Sequence, residues 1–246
     1  MNIIKLNAID STNIFLKNLC QSDNLKNFTT VVAEHQYAGK GQMGTTWSVE
    51  EGKNLTFSVY VDFSNEIIKH PFLISKAIAL AVSDTISQHC KLKNKIKWPN
   101  DILSQKKKIA GILIENIFRQ GKIHASIIGI GLNVNQKVFN PDLKHASSLS
   151  ILLKKEKLDK DILLEKILLN IEKRIHQIYQ GKDEKITKDY LKSLYHLGKP
   201  SMFYSDETYF MGKIVGITED GILQIEKEDE KVYEFELKQI KFAQFV

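Results

Sequence analysis

Gly39-Lys40-Gly41-Gln42-Met43-Gly44 matches the pattern G-x-G-x-x-G, and the residues on its C-terminal side decide the fold class. In a dinucleotide-binding unit this pattern must end a strand and open a helix. Here it runs through Thr45-Thr46-Trp47-Ser48 towards a second β-patterned stretch at Asn54–Phe63, after a first at Thr29–His35. The order is strand, long loop, strand, so the dinucleotide fold is excluded. The loop still has chemistry: glycines let backbone N–H groups approach an anion, and Lys40 adds a charge beside them. A phosphate or a carboxylate would suit it, and so would the role of an ordinary turn-rich surface loop.

Outward from the loop, Asn2–Asn7 alternates like a strand, and Asp10-Ser11-Thr12-Asn13 offers N-cap oxygens before Phe15, Leu16 and Leu19. Pro71 opens a helix with Ile74, Ile78, Val82 and Ile86 at four-residue spacing and Ala77 and Ala81 beside them, the mark of a deeply buried helix. Lys95–Asn135 reads as short strands paired in sequence, including a hairpin of Ile109–Phe118 and Ile123–Val134 around Arg119-Gln120-Gly121-Lys122. Leu164, Ile167, Leu168, Ile171, Ile175 and Ile178 form a helical stripe within Asp159–Tyr179, and a shorter helix is expected over Glu184–Tyr195. After Gly198-Lys199-Pro200 come four short alternating segments, Ser201–Tyr204, Tyr209–Ile217, Gly221–Glu226 and Lys231–Phe235, which predict a small β-barrel. Two domains are expected, residues 1–197 and 198–246.

Composition narrows the function classes. Hydrophobic residues are 43% and charged residues 26%, and no apolar run is long enough to cross a bilayer. Met1–Leu6 lacks the features of a secretory leader, so a cytoplasmic location is expected. Cys20 and Cys90 are too few for a disulfide framework or a zinc site and read as reduced, packed thiols. The net charge of +6 could suggest nucleic acid, but Arg119 and Arg174 are the only arginines among 35 basic residues. Base readout leans on arginine forks, whereas scattered lysine mostly solvates a surface.

Two further segments carry chemistry. Lys97-Trp98-Pro99-Asn100-Asp101 joins a cation, an amide and a carboxylate around a proline that fixes the backbone. The amide and carboxylate suit nucleotide chemistry, or else a structural turn in which both bond local backbone. Lys106-Lys107-Lys108 then leads into Ile109-Ala110-Gly111-Ile112-Leu113-Ile114-Glu115. A charge run is commonly a solvated turn, but the lysine at the entry of such a strand can be aimed at an acidic group, which singles out Lys108.

As a set, Asp10–Asn13, Glu34–Trp47, Lys97–Asp101, Lys108–Glu115, Gly129-Ile130-Gly131-Leu132-Asn133 and Ser147-Ser148-Leu149 resemble biotin protein ligases in order and spacing over residues 1–180. The resemblance implies an α+β fold with a class II aminoacyl-tRNA synthetase-like mixed sheet and helices, plus a small C-terminal SH3-like β-barrel. It implies an enzyme that makes biotinyl-5'-AMP from biotin and ATP, with Mg²⁺ held mainly by the ATP phosphates. The biotin would then pass to one lysine of a biotin carboxyl carrier domain of a carboxylase.

The resemblance places biotin against Ser11, Thr12, Asn13, Gln36, Gly39, Lys40, Lys108, Gly111 and Gly129. It places ATP and the adenylate against Gly39, Lys40, Gly41, Gln42, Gly44, Trp47, Asn100, Lys108 and Asn133. Lys108, Lys40 and Asp101 are the expected catalytic residues, with Asp101 accepting a proton from the incoming amine or orienting it. Many members have an arginine-rich glycine loop, whereas this one carries Gln42, Met43, Thr45 and Thr46. Some members carry an N-terminal helix-turn-helix domain and bind operator DNA. No operator binding is expected here, and a monomer or homodimer is. Rival readings are a lipoate ligase or octanoyltransferase on the same scaffold, and a non-catalytic nucleic-acid or protein-binding module.

Overall fold

A computed structural model describes residues 2–21 and 25–245. Met1 and Val246, the outermost positions of the two expected domains, lie outside the described residues.

The chain opens with β1 (Ile3–Ile9), α1 (Thr12–Leu19) and β2 (Thr30–Gln36). Ser11 takes the N-cap position of α1 in an extended conformation, but its hydroxyl caps nothing. The carboxylate of Asp10 instead accepts from the Ser11 N–H at 2.6 Å. β1 and β2 pair in parallel, so α1 is a short crossover. The glycine loop comes next, with a short 3₁₀ turn at Gln42–Gly44, and leads into β3 (Leu55–Asp62). α2 (Phe72–His89) begins after Pro71, and Ile74, Ala77, Ile78, Ala81, Val82 and Ile86 are all fully buried.

β4 (Lys95–Lys97), β5 (Asp101–Ser104), β6 (Lys107–Arg119) and β7 (Lys122–Leu132) pair antiparallel in sequence, as the pattern suggested. The β6–β7 hairpin turns at Gln120 (φ 51°) and Gly121 (φ 73°), left-handed positions that match the twist of the strands they join. The sheet has seven strands in the order β1-β2-β3-β7-β6-β5-β4. α3 (Leu149–Leu152), α4 (Lys160–Tyr179) and α5 (Asp183–Ser193) complete this part. Asp159 caps α4 by accepting from the N–H groups of Asp161 and Ile162. Arg174 of α4, itself buried, ties Asp84 of α2 (2.6 Å) to Asp189 of α5 (2.9 Å).

The second sheet comprises β8 (Pro200–Ser205), β9 (Thr208–Ile217), β10 (Leu223–Lys227), β11 (Val232–Phe235) and β12 (Lys241–Phe242), ordered β11-β10-β9-β8-β12. Where a small SH3-like β-barrel was expected, the chain forms this five-stranded antiparallel sheet. β11 has four residues and β12 only two, and among the described residues no ladder joins them.

Side-chain alternation on the first sheet explains where a site can form. One face carries Phe57, Val59, Ile112, Ile128 and Ile130 and is covered by α2, α4 and α5. The other face carries Tyr60, Ala125 and Ile127 beneath α1 at one end of the strands. Gly111, Gly129 and Gly131 continue that face at the other end. In register, Gly111 stands opposite Gly131, and Ser58 opposite Gly129. That stretch of the sheet is a bare floor.

Candidate active site

The glycine floor is the base of a cavity of about 270 Å³, walled by the start of α1, the glycine loop, the Pro99 turn, β6 and a segment of the C-terminal sheet region. A Cβ at Gly131 would run into the Trp47 indole, and one at Gly111 would meet the same ring at 3.1 Å. A Cβ at Gly129 would strike the Asn13 amide. Glycine is required at these positions by close approach rather than by backbone angle. Trp47, carried by the loop, lies across the floor, and its buried Nε1 has no hydrogen-bond partner among the described residues. A buried indole N–H without an acceptor is costly to maintain unless a ligand supplies one.

At the α1 end the wall is a polar network. Gln36 Oε1 accepts from Thr12 N at 2.7 Å and Thr12 Oγ1 at 2.9 Å, which fixes the amide and leaves its Nε2 end, beneath Gly39, available to a ligand. Ser58 Oγ lies 2.7 Å from Thr12 Oγ1 and 2.5 Å from Asn13 Oδ1, so one hydroxyl proton serves two acceptors. Asn13 Nδ2 donates to Glu115 Oε2 at 2.9 Å. Ser11, Thr12 and Asn13 are buried, so this end presents fixed donors and acceptors rather than mobile side chains.

The opposite wall is charged. Lys108 Nζ stands 2.6 Å from Asp101 Oδ1, and Lys97 Nζ stands 3.6 Å from Asp101 Oδ2. The Lys108 contact is an ion pair rather than a directed hydrogen bond, since Oδ1 has no partner of hydrogen-bonding geometry. Lys108 is placed by its backbone, which accepts from Ser147 N at 3.0 Å and donates to His145 O at 2.6 Å. Its ammonium also lies 5.5 Å from the Trp47 ring centre. Of the three lysines in the charge run, Lys106 occupies a left-handed turn with Gln105, while Lys107 and Lys108 start β6. Lys40, Lys97, Lys108 and Lys238 line the cavity against the single acid Asp101, so it favours an anion.

The structure brings together most of the expected residues. Ser11, Thr12, Asn13, Gln36, Lys40, Gly41, Gln42, Trp47, Asn100, Asp101, Lys108, Gly111 and Gly129 all line the cavity. Three do not. Gly39 lies behind the wall, where a Cβ would meet the Trp47 carbonyl, and Gly44 (φ 81°) serves the loop turn. Asn133 is buried outside the lining, and its Nδ2 donates to Ser147 O at 3.0 Å. That bond holds the segment supporting Lys108. Asn100 lines the cavity but spends Nδ2 on Ile112 O at 2.6 Å, so its amide braces the turn as well. Residues missed in the sequence are Gly131, Lys97, Leu237 and Lys238 in the wall, and Ser58 and Glu115 in the polar network. Lys97, Glu115 and Gly131 fall within segments the sequence singled out, and period two in Gly129-Ile130-Gly131 puts both glycines on one face.

Among the described residues no group of three or more His, Cys, Asp or Glu side chains could hold a metal ion, and no helix is long and apolar enough to cross a membrane. The lining's one carboxylate faces two lysines, so these residues do not build a resident metal site.

Comparison with known proteins places this geometry. The profile of the biotin/lipoate A/B protein ligase family matches residues 6–133. The chain is 31% identical over 221 residues to the bifunctional ligase/repressor BirA of Bacillus subtilis, covering 88% of this chain and 68% of that one. It is 29% identical over 165 residues to the biotin–[acetyl-CoA-carboxylase] ligase of Mycobacterium tuberculosis, covering 65% of this chain and 58% of that one. Among solved structures, the biotin protein ligase of Aquifex aeolicus in complex with biotin and ATP superposes with a TM-score of 0.81 at 26% identity, over 98% of this chain and 99% of that one. With half of its length matched by the profile and a relative at this level of identity, the chain belongs to the biotin/lipoate A/B protein ligase family.

Proposed function

We propose that this protein is an ATP-dependent biotin–protein ligase, with residues 1–197 as its catalytic domain and 198–246 as an SH3-like domain. The observation that carries the reading is the Lys108–Asp101 pair, set at the edge of a bare glycine floor beneath a lysine-bearing loop. The polar network of Thr12, Asn13 and Gln36 suits the ureido group of biotin, which needs donors and acceptors held in one geometry. Trp47 gives the ring system an apolar face and an N–H in search of an acceptor.

In the first step a biotin carboxylate oxygen bonds to the α-phosphorus of ATP as the bond from that phosphorus to the bridging oxygen breaks. Pyrophosphate leaves with the electron pair. The protein's contribution is placement and charge: Lys108 and Lys40 meet the negative charge between carboxylate and α-phosphate. Mg²⁺ would enter with the nucleotide, neutralising its phosphates. In the second step a neutral lysine amine attacks the acyl carbon, AMP departs with the electron pair of the acyl–oxygen bond, and the proton lost from the nitrogen passes to water. Asp101, held between two ammonium groups, suits the orienting half of its expected role: it aims Lys108 and faces the incoming amine. The acceptor we propose is the biotin carboxyl carrier domain of a carboxylase, and the compartment the cytoplasm.

Mass spectrometry of a recombinant acceptor domain, incubated with the protein, biotin and Mg-ATP beside a parallel lipoate reaction, tests the reading. An ATP-dependent biotin adduct on one lysine supports it; an adduct with lipoate alone reassigns the substrate.

A further inference from the structure

Lys238 belongs to the turn joining β11 to β12, 195 positions along the chain from Met43 of the glycine loop. The turn is firmly based. Phe235 and Ile240 at its ends are buried, Glu236 N donates to Gln239 Oε1 at 2.6 Å, and Gln239 N donates to Glu236 O at 3.2 Å. The sheet beneath it is fixed to the catalytic part through the buried Trp98 Nε1, which donates to Gly221 O at 2.9 Å. From this base the Lys238 ammonium donates to Met43 O at 3.0 Å. Both residues adopt left-handed backbone, φ 71° at Lys238 and 53° at Met43, so each stands at the apex of its own turn.

The loop tip has little else to hold it. Its other hydrogen bonds among the described residues are its own: Gly41 N to Thr45 O, Thr45 N and Oγ1 to Gln42 O, and Trp47 N to Gly39 O. The side chain of Met43 is exposed and anchors nothing. A loop closed only by its own few bonds opens locally unless something outside holds it, and the bond that opposes this comes from another sheet.

We propose that Lys238 is a positioning residue, a strap by which the C-terminal sheet holds the glycine loop over the cavity. Resting on the ligase reading, we further infer that it governs how well an acyl-adenylate is retained until the acceptor arrives. A mixed anhydride hydrolyses when water reaches it, so a loop that opens early wastes it. A lysine suits the task because its long stem reaches across the gap and its charge strengthens a bond to a carbonyl.

Two measurements on Lys238→Met and Lys238→Arg test this, since the first keeps the stem without the charge and the second keeps both. In hydrogen exchange of the unliganded protein, Lys238→Met should speed exchange at the Gly41, Thr45 and Trp47 amides by about tenfold, the effect of losing one such bond, while β9 and β10 stay as in the unchanged protein. Lys238→Arg should restore the slow rate. In single-turnover reactions with labelled biotin, Lys238→Met should release or hydrolyse several times more adenylate per adduct formed than the unchanged protein. Unaltered loop exchange overturns the strap. Faster exchange with unaltered leakage overturns its role in retention. Exchange is read without turnover, so a protein that forms no adenylate at all would refute the ligase reading separately.

Discussion

Asp101 stands between two lysines, 2.6 Å from the Nζ of Lys108 and 3.6 Å from that of Lys97. The first turns the carboxylate towards the cavity and the second belongs to the same five-residue turn, so the wall's charge geometry is set within Lys97–Asp101 and the entry of β6.

Lys108→Ala should separate binding from chemistry. The ammonium faces the position where carboxylate and phosphate would meet, so its loss should slow pyrophosphate release by about 10²-fold. Biotin affinity, measured by calorimetry, should change much less. Unchanged pyrophosphate release would remove Lys108 from the first step.

Asp101→Asn keeps shape and removes charge. Supplied with preformed biotinyl-adenylate, the variant should transfer biotin at least about tenfold more slowly, because neither Lys108 nor the amine is oriented. Transfer at the normal rate would exclude Asp101 from the second step.

Gly131→Ala tests the bare floor. The added methyl has no room beneath the Trp47 ring, and displacing an indole in a packed site costs about 1–3 kcal/mol. Biotin should bind at least about tenfold more weakly with the fold retained, as read by calorimetry and circular dichroism. Unchanged affinity would mean that Trp47 is not a wall of the biotin site.

The folding pattern was legible where it is local. The Gln120-Gly121 turn, the Asp159 cap and the four-residue spacing in α2 each specify their element without help from distant residues. The loop's failure to open a helix ruled out the dinucleotide fold on sequence alone. The parts that stayed hidden depend on pairing across the chain. The two-residue β12 is too short to alternate, and it exists because Lys241 and Phe242 meet Tyr204 and Phe203. Lys238 enters the site because the second sheet docks on the first part of the chain, at Trp98 among other places, through contacts between residues more than a hundred positions apart. Asn133 entered the expected site only through the family resemblance, and its bond from Nδ2 to Ser147 O is a contact between separate segments that the sequence does not display.

That docking has its own test. Trp98→Phe removes the Nε1 donor and leaves the Gly221 carbonyl without its partner, which should lower stability by about 1–2 kcal/mol. Chemical denaturation measures this, and an unchanged midpoint would show that the bond does not hold the sheets together.

Arg174 should matter through pH as well as packing. Burial pushes the Asp189 carboxyl up, but the hydrogen bond and charge of Arg174 outweigh it, so its pKa falls below the ordinary 3.8. The stability this contributes is present above 3.8 and is lost as pH falls through the lower folded value. Arg174→Met should therefore destabilise the protein by about 3 kcal/mol at neutral pH, with the gap to the unchanged protein narrowing only in acid below 3.8. A gap independent of pH would assign the loss to packing alone.

The most direct test of the ligase reading is the mass of a biotin acceptor domain after incubation with this protein, biotin and Mg-ATP. The account predicts one biotin adduct on a single lysine, absent without ATP and not formed with lipoate in its place. No adduct on any of several acceptor domains, under conditions where the protein is folded and binds biotin, would contradict it.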